Sequence, residues 1–133
     1  MRFTPSNITQ LKPYEVFVFG SNEAGIHGAG AARMAHKLFG AEMGKGFGIA
    51  GQTYAIPTKD YNIKTLSIDA IEIYVEAFIE EAKNYPYLTF LVTEIGCGLA
   101  GWMPKDIAPM FKGASENIIL PESFWKVINQ ECK

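Results

Sequence analysis

Cysteine, histidine and basic charge are all scarce in this chain of 133 residues, and each scarcity excludes something. Two cysteines, Cys97 and Cys132, cannot build a disulfide framework, so a reducing compartment, the cytoplasm, is the expected setting. Two histidines without clustered cysteines offer no structural zinc site, and no metal is expected. Twelve Lys and Arg against 14 Asp and Glu leave a net charge of -2. Without a basic stripe, nucleic acid is not expected as the primary partner. No apolar run nears the ~18 residues of a membrane span, and Met1-Arg2-Phe3-Thr4-Pro5 lacks the make-up of a signal peptide, so no membrane partner is expected. Neither an internal repeat nor a low-complexity segment is visible. The 48% of hydrophobic residues suffices for a packed core and is too much for a disordered chain. The length fits a single domain over residues 1–133.

Glycine is abundant and clustered. Nine of the 13 glycines lie between Gly20 and Gly51, and three more at Gly96, Gly98 and Gly101. Each cluster directly follows an apolar run, which suggests loops that need positive φ or a close backbone approach to a ligand.

Around these loops strands and helices alternate. Val16-Phe17-Val18-Phe19 reads as a buried strand, and Gly30 to Phe39 as a helix ending at Gly40. Tyr54-Ala55-Ile56 is a short strand expected to stop at Pro57. Ser67 fits the N-cap of a helix running to about Asn84. Its Ile68, Ile71, Val75, Phe78, Ile79 and Ala82 share one face; Asp69, Glu72, Glu76 and Glu80 share the other, as a solvated face or a docking surface. Leu88 to Val92 is a buried strand, Pro104 opens a helix through about Phe111, Asn117 to Leu120 is a last strand, and Pro121 opens a helix to about Gln130. The order implies an α/β fold, a three-layer α/β/α sandwich with a mixed, largely parallel sheet. In such sheets ligands bind beyond the carboxyl ends of the strands, where both glycine clusters emerge.

The first loop, Gly20 to Ala32, places small residues at Gly28, Ala29, Gly30 and Ala31, leaving amide N–H groups unshielded at a helix start, a setting for phosphate oxygens or a tight packing turn. It is neither a P-loop nor a G-x-G-x-x-G fingerprint. The second loop, Gly96-Cys97-Gly98-Leu99-Ala100-Gly101-Trp102, can supply a facing set of donors. Trp102 can stack on a base or ribose, or anchor the loop by packing. Cys97 reads more readily as a small structural residue than as an activated thiol. Asn22, with Ser21 before it, can hold ribose hydroxyls or turn the chain as an Asx turn. His36, within the first helix, reads as a packing or capping residue.

Four segments together resemble the macro domain, the ADP-ribose-binding α/β/α module. Ser6-Asn7-Ile8-Thr9 with Leu11 resembles its opening G-D-I-T-x-L. Glu15 to Asn22 resembles D-A-I-V-N-A-A-N, ending on the asparagine that contacts the proximal ribose. Gly28 to Gly40 resembles G-G-G-V-A-x-A-I-H-x-A-A-G without a gap. Gly96 to Trp102, then Pro104, is similar to the phosphate loop S-T-G-I-Y-G-F-P with one extra residue. The resemblance implies ADP-ribose or an ADP-ribosylated substrate as partner, bound through Asn7, Ser21, Asn22, the 28–31 loop and the 96–102 loop, with no separate cofactor. An alternative is a sensor or sponge for another NAD-derived nucleotide.

Three positions depart from the family. Asn7 stands where an Asp meets the adenine amino group, so that bond loses charge assistance. Ala29 replaces the central glycine of the first loop, and Ala100 the aromatic of the second. Thr58-Lys59 and Ile95-Gly96-Cys97-Gly98-Leu99 further resemble the terminal ADP-ribose protein glycohydrolase branch, which implies Lys59 as nucleophile at the ribose anomeric carbon, with Asn22 as its expected catalytic companion. Ala100 holds the position of that branch's acid/base aspartate, a loss that typically removes about 10²–10⁴-fold in rate. Asp60 and Glu23 are the conceivable replacements.

Overall fold

The computed structural model describes residues 2–131; Met1 and Cys132 lie outside them. Five strands and four helices follow in the order β1 (Glu15–Asn22), α1 (Gly30–Leu38), β2 (Gly48–Ala50), β3 (Thr53–Lys59), α2 (Ile68–Ala82), β4 (Thr89–Val92), α3 (Pro104–Ile107), β5 (Ile118–Ile119) and α4 (Glu122–Glu131). A 3₁₀ turn, Ala108–Phe111, continues α3. The single sheet has the order β2-β3-β1-β4-β5. β1 runs parallel to both β3 and β4, β4 runs parallel to β5, and only β2 is antiparallel.

Both faces of the sheet are buried, which explains why Val16 to Phe19 is a continuous apolar run and not an alternating one. Val16 and Val18 pack with Tyr54, Ile56, Phe90 and Val92 beneath α2, the 107–111 segment and Phe124 of α4. Phe17 and Phe19 turn to the other face, against Ala35 of α1, Phe39 and Ile8. The result is an α/β fold whose mixed, mostly parallel sheet is flanked by helices, consistent with a three-layer α/β/α sandwich. Ser67 Oγ accepts the Ala70 N–H at 3.2 Å and starts α2, whose Ile71, Val75, Phe78, Ile79 and Ala82 are buried.

One strand was not foreseen and the bounds of another need correction. β2 was not legible as a strand, and β3 does not stop at Pro57 but runs to Lys59. β2 pairs only with Thr53 to Ala55, and further on the Leu66 N–H donates to the Thr58 carbonyl and Thr65 bridges Lys59, which leaves Pro57 on the unpaired stretch of outer edge between them. Pro57 sits on that edge opposite Ser21, where the N–H it lacks has no ladder partner to lose. The carboxyl ends of β1, β3 and β4 therefore converge at Asn22, Lys59 and Val92, where connections leave to both sides of β1.

Candidate functional site

The site begins where β1 ends. The ladder with β3 shifts register between Ser21 and Asn22, and Asn22 turns the chain into the first glycine loop. Its Nδ2 donates to the Ile26 carbonyl at 2.8 Å and its Oδ1 accepts the Ile26 N–H at 2.9 Å. One amide hydrogen and one lone pair are left over. The buried His27 then drops beneath the loop, edge-on to Phe19, with Nε2 2.8 Å from the Glu42 carbonyl. His36 holds the neighbouring carbonyl, Ala41, at 2.7 Å from Nδ1. Through these contacts residues 41–42 buttress the loop from below.

Past His27 the chain enters α1 without a side-chain cap. Among the described residues, the amides of Gly28, Ala29, Gly30, Ala31 and Ala32 have no hydrogen-bond acceptor; the first satisfied one is Arg33, bonded to the Ala29 carbonyl. Across the cleft, the second loop closes on itself through Cys97 N–H to Glu94 O, Gly101 N–H to Gly98 O and Trp102 N–H to Gly96 O. This leaves the amides of Gly98, Leu99 and Ala100 equally unpaired among the described residues. Such bare donors are costly to bury and call for solvent or an anion as partner.

Both loops border a cleft of about 290 Å³. Of the expected site residues, Ser21, Asn22, Gly28, Ala29, Ala31, Lys59, Gly96, Gly98, Leu99 and Ala100 line it. Asn7 and Cys97 line an adjoining cavity of about 460 Å³, which shares Ala31, Thr93, Glu94 and Gly98 with the first. Gly30, Gly101 and Trp102 border neither. The Trp102 indole donates to the Leu66 carbonyl at 3.1 Å and packs against the main core, so it anchors the loop.

Lys59 lies half-buried in the cleft and makes no ion pair among the described residues. The two carboxylates considered as acid/base replacements are occupied elsewhere. Asp60 Oδ1 accepts from the Asn62 and Lys64 amides at 2.8 and 3.0 Å, and Glu23 Oε2 accepts from the Tyr74 hydroxyl at 2.5 Å. The Asp60 turn forces Ile63, a β-branched residue on the cleft wall, to φ 62°, a conformation costing roughly 1–2 kcal/mol. Thr65 Oγ1 fastens the same segment to the second loop by donating to the Ala100 carbonyl at 2.8 Å.

Glu94 is the acidic residue bordering the cleft, and sequence reasoning missed it. Its only signal was its place just past the carboxyl end of a buried parallel strand. Cys97 is no activated nucleophile: burial first, then the nearby Glu94 and Asp106 carboxylates, push its thiol up to about 12.

No family model, curated protein or solved structure matches the chain.

Proposed function

We propose that this protein binds ADP-ribose or a related nucleotide diphosphate in the cleft between the two glycine loops, in the manner of a macro domain. One observation carries the reading: the amides of Gly28, Ala29, Ala31 and Ala32 and those of 98–100 are free of protein acceptors among the described residues, and these residues border a common cleft. A pyrophosphate requires several donors that converge from two sides, and a helix start adds the favourable end of its dipole. The spare donor and acceptor of Asn22 suit a ribose hydroxyl. Ser6 and Asn7 in the adjoining cavity suit a nucleobase edge.

Lys59 extends the reading to hydrolysis of ADP-ribosyl linkages, acting as nucleophile or as electrostatic stabiliser of the anomeric centre while Asn22 orients the ribose. A second reading is favoured by a specific observation. Ala100 supplies no carboxylate, and Asp60 and Glu23 are held away by their own hydrogen bonds. That arrangement suits a binder without turnover, a sensor or sponge for an NAD-derived nucleotide.

Calorimetry with ADP-ribose tests the binding. Saturable heat is expected, and ligand at 100 Kd stabilises the fold by about 2.7 kcal/mol. No heat at millimolar ligand, with the protein shown folded, overturns the assignment. Turnover of ADP-ribosylated protein that falls about 10²-fold or more in Lys59→Ala supports the enzyme; turnover absent from the wild type leaves the binder.

A further inference from the structure

We propose that Glu94 sets the specificity of the cleft: it admits nucleotides whose base-proximal ribose is unphosphorylated and rejects those carrying a 2′-phosphate there. The inference rests on the ADP-ribose reading above and deepens it.

Charge is distributed unevenly along the groove. The first cavity offers Lys59 and two rows of free amides, with Glu94 on the wall that it shares with the second. The second, on the side of Asn7, has Glu94 as the one charged side chain among the described residues bordering it. A third cavity of about 360 Å³ continues the groove through Pro5, Ser6, Thr93 and Glu94, and adds a second carboxylate, Glu122. No cation borders the second or third cavity among the described residues; Lys126 lies 3.8 Å from Glu122 on the exposed side of α4. The groove is thus donor-rich on the Lys59 side and carries carboxylates alone from Glu94 to Glu122 along its walls.

Glu94 is exposed, and one hydrogen bond orients its carboxylate. Its Oε2 accepts the Ser123 hydroxyl at 2.6 Å, and Ser123 belongs to the first turn of α4 on the wall of the third cavity. Oε1 is in no hydrogen bond among the described residues, so it can accept from a ribose hydroxyl. With the diphosphate on the glycine loops and the base beside Asn7, the base-proximal ribose lies where the two cavities meet at Glu94, in the cleft that Asn22 also lines. A free 2′-hydroxyl gains an acceptor there. A 2′-phosphate loses that bond and brings a dianion beside the carboxylate, where no cation borders the second or third cavity among the described residues, a repulsion large enough for about tenfold in affinity.

Calorimetry with ADP-ribose and with ADP-ribose 2′-phosphate, on wild type, Glu94→Gln, Glu94→Lys and Ser123→Ala, decides the matter. The wild type should prefer ADP-ribose by about tenfold. Glu94→Gln should shrink that preference, Glu94→Lys should reverse it, and Ser123→Ala should weaken it by freeing the carboxylate. Circular dichroism verifies that each variant is folded. ADP-ribose binding with no preference, or a preference unchanged in Glu94→Gln, overturns this inference alone. Silence from both ligands on folded wild type overturns the binding reading and this inference with it.

Discussion

At Gly46 a β-carbon would sit 1.9 Å from the Asn22 carbonyl oxygen, and at Gly25, already at φ 72°, it would meet the Gly44 carbonyl carbon at 2.4 Å. At Gly28 and Gly98 the same atom would meet nothing within 4 Å. Glycine therefore serves two purposes that composition cannot separate: close packing of two loop backbones, and bare amides facing open space. Gly46→Ala should cost about 3 kcal/mol or more, because backbone must move, whereas Gly28→Ala should cost under about 1 kcal/mol. Urea denaturation of both variants checks this, and equal costs would contradict the packing role of Gly46. Cys97 gives a chemical counterpart. Its thiolate fraction is lower by about 10³-fold than that of an ordinary thiol with pKa near 9, and the greater nucleophilicity of the thiolate returns only part of that. In a Cys132→Ser background, iodoacetamide at pH 8 should label Cys97 about 30–100-fold more slowly than it labels free cysteine. Labelling at the free rate would mean an open, activated thiol.

Among the elements, α2 was the most legible because a local rule and a global one agree. Ser67 caps the start, and the buried residues recur with helical period. Ser67→Ala should cost about 1 kcal/mol and Ser67→Asp should restore most of it, as read from denaturation midpoints. A cost near zero for the alanine would show that tertiary packing alone holds the helix start. β2 was illegible for the opposite reason. Gly48-Ile49-Ala50 has no strand pattern of its own and becomes a strand only because the Gly51–Gln52 turn folds it back on β3, with Gly51 at φ 56°. Pro57 misled similarly, since its effect depends on whether a neighbour pairs with that edge. For the site, small residues after apolar strands were visible along the chain, so both loops and Asn22 could be found. The side-chain contacts that divide the work were not. Trp102 is an anchor because Leu66 lies within reach, and Glu94 matters because α4 brings Ser123 to it. Nothing local announces either.

At the scale of the molecule, the helical layer and the cleft are joined by groups that titrate. Tyr74 on α2 donates to Glu23 in the first loop; that hydrogen bond first, then burial and the charges of Glu23 and Tyr61, push the phenol up to about 12. Cys97 in the second loop also rises to about 12. Unfolded, these groups lose their protons near their ordinary values of about 10 and 9. Between roughly pH 9 and 12 the unfolded chain therefore binds fewer protons than the native one, and stability falls as pH rises. The acid side has the opposite sign. Burial alone would raise the Glu15 carboxyl, but the Lys12 amide and the Arg2 guanidinium outweigh it and hold it below its usual range. That contribution is present above the unfolded carboxyl value and is lost as pH falls through the folded one. Urea denaturation from pH 3 to 11 should trace a dome with both limbs. Tyr74→Phe should lessen the alkaline limb, to which Cys97 and Tyr54, raised by burial and by Glu81, also contribute, and Glu15→Gln should flatten the acid limb, each leaving the other unchanged. The folded protein keeps both protons until about pH 12, so the two loops that Tyr74 and Cys97 support are unchanged along this limb. A flat profile between pH 8 and 11 in the wild type would show that neither loop is tied to the helical layer through these protons.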